Sequence, residues 1–215
     1  LEPKVQKQYD ELRKQFVLEL GQQQVVTADL AVTRLMRLQQ FCGGWLKTDE
    51  GELLQVSTAK IDTLVDLVST KVEGGEQVVI FHRFQAEGDA IRARLNSIRI
   101  DNVSINGQVS EDDRKRARDD FQSSKADVII VQIATGAMGI TLDKAHINIF
   151  YSLDFSLSNF QQARDRIMGR NQTSDVTNYM LAVDKTVDKK IMDTLKKDED
   201  VASQISDKWR IIFND

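Results

Sequence analysis

Between residues 77 and 182 the sequence alternates short apolar runs with longer amphipathic ones, and that rhythm restricts the fold more than any other feature. The short runs are QVVIFH (77–82), VSI (103–105), DVIIVQ (127–132), HINIFY (146–151) and VTNYMLA (176–182). QVVIFH is almost wholly apolar, as in strands buried on both faces of a parallel sheet. Helical stretches lie between the runs, at about 85–97, from Ser110 through Phe121, and at about 157–168. Ser110 with Asp113 resembles a capping box. Alternating strand and helix predict an α/β domain, a parallel sheet flanked by helices, over 76–184.

A helical extension, 1–75, precedes this region. Val5, Tyr9, Leu12, Phe16 and Leu20 recur in helical steps, with Gly21 as a stop. A second helix is expected at 28–42, capped by Thr27 or Asp29 and ended by Gly43-Gly44. KTDEGEL reads as a surface loop, and a third helix opens at Ser57 and closes at Gly74-Gly75. A C-terminal helical tail, 185–215, is expected to pack back on the sheet domain.

With 41% apolar residues in a chain of 215, there is enough material for a core. The net charge of -4 means that any nucleic-acid binding must come from a local basic patch. One cysteine, Cys42, excludes an internal disulfide, and with two histidines it cannot build an ordinary zinc site; it reads as a small core residue. No apolar run approaches the length of a membrane span, and the charged start LEPKVQKQYDELRKQ is unlike a signal peptide, so an intracellular protein without a membrane partner is expected.

In open parallel sheets, ligands sit at the carboxyl ends of the strands. His82-Arg83-Phe84 follows the first strand, and Asn106-Gly107-Gln108 the second. IATGAMGITL, with Thr135, Gly136 and Gly139, follows the third. After the fourth, the helix in SLDFSLSNFQQARDRIMGRNQ places Gln162, Arg166 and Arg170 four residues apart, on one face. Two arginines there suit phosphate recognition, since each carries a planar fork of donors. Singly, a small-residue turn and a basic helix face are ordinary surface features. The cluster Arg114-Lys115-Arg116-Arg118, interleaved with aspartates, reads as a charge-balanced exposed helix. The sequence contains no G-x-x-x-x-G-K-[ST] loop and no Asp-Glu acid box ending a strand.

In order, VVIFHRF, SINGQVSEDDRKRARDDFQ, DVIIVQIATGAMGITLDKAHINIFYSLDFS and NFQQARDRIMGRNQ resemble the second-lobe motifs of Swi/Snf-type DNA-dependent ATPases, of helicase superfamily two. RLMRLQQFCGGWL and STAKIDTLVDLV are similar to segments that precede that lobe. The resemblance implies a C-terminal RecA-like lobe. ATP and Mg2+ would be held mainly by an N-terminal RecA-like lobe of the same protein, and this chain alone would not hydrolyse ATP. It implies that Arg166 and Arg170 are catalytic, that Gln162, Gly139, Thr141 and Asp165 lie beside the nucleotide, and that His82, Arg83, Asn106, Gly107, Thr135 and Gly136 contact DNA, double-stranded and without sequence preference. The family usually places its second arginine three residues after the first; here Gly169 stands there and Arg170 follows. A bacterial or phage setting is expected over a nuclear one. Two other readings stand beside this one: a related helicase acting on RNA or single strands, and a non-catalytic RecA-like module that holds DNA or a protein.

Overall fold

The computed structural model describes residues 1–22, 27–48, 51–135, 141–167, 175–201 and 213. In chain order its elements are α1 (Pro3–Gly21), α2 (Ala28–Cys42), β1 (Trp45–Lys47), β2 (Leu53–Gln55), α3 (Ala59–Glu73), β3 (Val78–His82) and α4 (Gln85–Ser97). There follow β4 (Asn102–Ile105), α5 (Glu111–Gln122), β5 (Val128–Gln132), a 3-10 turn (Ile133–Thr135), β6 (Ile147–Phe150), α6 (Leu157–Asp165), β7 (Thr177–Met180) and α7 (Val187–Lys196). The chain forms two compact units: Leu1–Lys60 with Phe155–Leu157 and Ala182–Asp215, and Ile61–Asp154 with Ser158–Leu181. Sequence pattern sets its boundaries at 75 and 184, whereas the units divide nearer 60 and 181, so most of α3 belongs with the sheet.

In the helical unit, α1 buries Val5, Tyr9, Phe16 and Leu20, the face its periodicity predicts. Gly21, expected as the stop, is the last residue of α1, and Gln22 is the cap. Thr27 caps α2, its side chain accepting from the Leu30 N–H at 3.4 Å. Lys47 and Leu53, the two ends of the segment expected to be a surface loop, face each other in a small antiparallel hairpin, with Trp45 opposite Gln55. These three-residue strands escape pattern reading because all three residues of β2 are exposed, leaving no alternation of burial. Tyr9 packs edge-on to Phe41 at 5.8 Å, and its hydroxyl accepts from the Val187 N–H at 2.8 Å. Lys60 and Asp188, both buried, form an ion pair beside them. Cys42 is fully buried, as expected of a core residue, and its burial pushes the thiol pKa up. The C-terminal tail is not one continuous helix: α7 ends at Lys196, and Asp198 takes the left-handed conformation, φ 56°. Trp209, Ile211 and Ile212 lie outside the described residues.

The other unit is a five-stranded, wholly parallel sheet of order β4-β5-β3-β6-β7. Central β3 is buried along its whole length, with Ile80 opposite Ile130 and Ile149. On one face, Ile80, Ile130 and Ile149 pack with Leu64 and Val68 of α3 and Ile91 and Leu95 of α4. On the other, Phe81 stacks on Phe150 at 5.0 Å, and Phe150 meets Phe160 of α6 at 5.1 Å. The near-continuous apolar strands thus answer to helices on both faces. Ser110 caps α5 as predicted, accepting from the Asp113 N–H at 3.2 Å. Among the described residues, no helix is long and apolar enough to cross a membrane.

Candidate functional site

The carboxyl ends of β3, β4 and β5 are joined by a polar network. At the end of β3, the His82 side chain turns inward and is only 2% exposed. Its Nδ1 lies 3.0 Å from the Phe84 carbonyl oxygen, and its ring rests on α4 at Gly88. A Cβ at Gly88 would come within 2.5 Å of the imidazole. Burial lowers the His82 pKa to about 4, against the raising effects of that hydrogen bond and of Asp89, so the ring is neutral at pH 7. His82 therefore supports the loop from within, with its side chain turned away from any strand-end ligand.

Glu87 anchors the same loop. Its Oε2 accepts from the backbone N–H groups of Arg83 at 3.3 Å and Phe84 at 3.2 Å, and from the Ser152 hydroxyl. Ser152 Oγ also accepts from the Arg83 N–H at 2.7 Å, tying the loop after β3 to that after β6. The Arg83 guanidinium lies 5.5 Å from the Phe84 ring centroid. Burial lowers its pKa, opposed by the carboxylates of Asp154 and Glu87. Gln132, the last residue of β5, donates to the Arg83 carbonyl and accepts from the Gly107 N–H, each at 3.2 Å. The Thr135 hydroxyl donates to the Gln132 carbonyl at 2.8 Å, closing the 3-10 turn. Asn106 Oδ1 accepts from the Gln108 N–H at 2.9 Å. The structure gathers His82, Arg83, Gly107 and Thr135 through Glu87, Ser152 and Gln132, which sequence reading misses. For Glu87 a signal exists, since a glutamate three residues into a helix is half of a capping box. For Gln132 it is the one polar side chain closing VIIVQ.

The end of α6 differs from expectation. The helix stops at Asp165, so Arg166 occupies the turn beyond it, and Gln162, Arg166 and Arg170 do not share one described helical face. Arg170, Gly136 and Gly139 lie outside the described residues. Hydrogen bonds fix the backbone here, among them that of the Arg166 N–H to the Ala163 carbonyl at 3.3 Å. The Leu142 N–H donates to the Arg166 carbonyl at 3.0 Å, and Asn148 Nδ2 to the Arg164 carbonyl at 3.4 Å. The former brings Thr141, next to Leu142, close to Arg166. The Arg166 Nε is buried without a hydrogen-bond partner among the described residues. Gln162 is exposed and donates to Ser158 Oγ at 3.0 Å, while Asp165 pairs with Arg164 at 3.2 Å. Among the described residues, no group of three or more His, Cys, Asp or Glu could hold a metal.

Residues 59–171 match the helicase conserved C-terminal domain. The chain belongs to that family. This helicase domain is 30% identical to the chromatin-remodeling ATPase INO80 of Eremothecium gossypii, over 67% of this chain and 10% of that one. It is also 30% identical to the SWI/SNF-related matrix-associated actin-dependent regulator of chromatin subfamily A-like protein 1 of Drosophila melanogaster, over 69% of this chain and 20% of that one. The chain thus spans a tenth to a fifth of the length of these relatives. Among solved structures it resembles the C-terminal part of the Fun30 ATPase domain, with a TM-score of 0.63 and 27% identity over 72% of this chain and 52% of that one. The Sulfolobus solfataricus SWI2/SNF2 ATPase core, solved in complex with double-stranded DNA, shares the fold, with a TM-score of 0.75 and 18% identity over 99% of this chain and 46% of that one. The parallel sheet is accordingly that of a RecA-like lobe, and the helicase domain is homologous to the C-terminal lobe of SNF2-family ATPases. The relatives named here come from a fungus, an insect and an archaeon, and lend no support to a bacterial or phage setting.

Proposed function

We propose that this domain is the second motor lobe of an ATP-driven translocase on double-stranded DNA. The observation that carries the reading is Arg166, whose backbone is held by Leu142 and whose Nε is left without a partner among the described residues. A guanidinium carries a planar fork of donors that suits a phosphate ligand. In the proposed assembly, an N-terminal RecA-like lobe binds ATP and Mg2+, and Arg166 stabilises the charge developing on the transferred phosphoryl group. Arg170 is its proposed companion, with Gly139, Thr141, Gln162 and Asp165 along the nucleotide edge.

On the DNA side, Arg83 and the exposed turn at Asn106 and Gly107 meet the phosphate backbone, joined by Gly136. His82 and Thr135 act from beneath, shaping the loops. The names of the relatives, ATPases and a double-stranded DNA complex, support this reading. Contacts to phosphate and sugar carry no sequence information, so binding is indifferent to sequence and weakens with salt.

The test compares this chain alone with the same chain joined to an N-terminal lobe carrying the phosphate-cradling loop. Duplex-DNA-stimulated ATP turnover is expected only from the joined protein. Turnover by the chain alone overturns the division of labour. Duplex binding by the joined protein without turnover favours the non-catalytic module.

A further inference from the structure

We infer that Gln132 is a positioning residue that locks the loops after β3 and β4 into one surface. These loops belong to strands that are not neighbours, since β5 lies between them. No ladder hydrogen bond can join them, and a side chain leaving the end of β5 can reach both. Gln132 stands there, in register with His82, and half-buried. Its two bonds use opposite ends of one amide: Nε2 donates to the Arg83 carbonyl, and Oε1 accepts from the Gly107 N–H. The Arg83 carbonyl can only accept and the Gly107 N–H can only donate, so the amide has one satisfying orientation. Glutamate could keep the bond to Gly107 but would set a carboxylate oxygen against the Arg83 carbonyl, and leucine could make neither bond. The Thr135 hydroxyl, bonded to the Gln132 carbonyl, fixes the backbone from which the amide extends.

The inference rests on the proposed function in one respect: these two loops are taken to meet the DNA backbone. Gln132 carries no charge, so it governs how well the loops are pre-arranged and leaves the number of phosphate contacts unchanged.

The experiment uses the 215-residue chain and its Gln132→Leu and Gln132→Glu variants. NMR hydrogen exchange reads the Gly107 amide, with the amides of Ile80 and Ile130 reporting the intact sheet. Binding to a short duplex of random sequence is measured across salt concentrations. In Gln132→Leu the Gly107 amide is expected to exchange about tenfold faster, the size of effect for one lost hydrogen bond. Duplex affinity is expected to fall roughly three- to tenfold, with an unchanged slope of log affinity against log salt. Arg83→Ala, by contrast, should reduce that slope by about one contact. Gln132→Glu should keep Gly107 protected yet weaken binding through the Arg83 side. An unchanged Gly107 amide in Gln132→Leu overturns the lock. In the uncharged Gln132→Leu, released loops with undiminished affinity, or an altered salt slope, overturn its role in positioning. Should the unaltered chain bind no duplex, the DNA reading fails on its own, and the Gly107 amide alone decides the lock.

Discussion

His82 and Gly88 form a pair in which a ring occupies the space a side chain would need. Gly88→Ala should therefore act against helix propensity. Alanine favours a helix interior over glycine by about 1 kcal/mol, but the clash with a buried, hydrogen-bonded ring costs roughly 1–3 kcal/mol. Net destabilisation is expected in urea denaturation, and a net gain would show that the ring moves freely. The same ring has a pH signature. With a pKa lowered to about 4, it is neutral in the fold, while the unfolded chain takes up a proton near 6.5. The unfolded state thus binds more protons between those values, and stability is lost as pH falls through that window, by about 2 kcal/mol at pH 5 from this group. An NMR titration should find His82 neutral down to about pH 4; an ordinary midpoint near 6.5 would contradict its burial. None of this is legible in the sequence, where His82 reads as a strand-end residue with an implied DNA contact, because the contact that buries it depends on a glycine six positions later.

At the scale of elements, what could be read and what could not follow from the range of the forces involved. β3, β5 and β6 are legible because burial on both faces leaves a continuous apolar run, and α1 because one buried face imposes a period. The hairpin is not, since β2 is exposed throughout; its return passes close to Gly44, with φ 90°. A Cβ there would lie 2.4 Å from the Ser57 carbonyl oxygen. Gly44→Ala should cost roughly 2–4 kcal/mol, from left-handed strain added to overpacking; a thermal unfolding midpoint unchanged from the parent would refute that. The start of α3 and the start of α7 are tied by Lys60 and Asp188, residues 128 apart in sequence. Asp188 also accepts from the Val183 N–H at 3.5 Å. Lys60→Met strands a buried carboxylate and should cost about 3–5 kcal/mol, whereas Lys60→Met with Asp188→Leu should recover part of that loss. A double variant no more stable than Lys60→Met would show that the pair is not the coupled unit described. The early end of α6 at Asp165 is equally invisible to periodicity, which runs on through Arg166 and Arg170.

For the whole molecule, the order of the strand-end segments is the informative feature. Each motif is weak alone, yet together they point to the family that residues 59–171 match. Sequence singles out Arg83 and Arg166, where chemistry and position coincide, and their roles are proposals that Arg83→Ala and Arg166→Ala test. The candidate site was not legible at Glu87, Ser152 and Gln132, whose roles come from hydrogen bonds between segments that only folding brings together. The division into units was likewise hidden, because the chain's two ends combine in one of them. The central claim, that this lobe lends an arginine to phosphoryl transfer, meets its most direct test in a single measurement. That measurement is the duplex-DNA-stimulated kcat of the two-lobe protein with Arg166→Ala. The account predicts a fall of about a thousandfold or more with duplex affinity retained; turnover within a few-fold of the parent would contradict it.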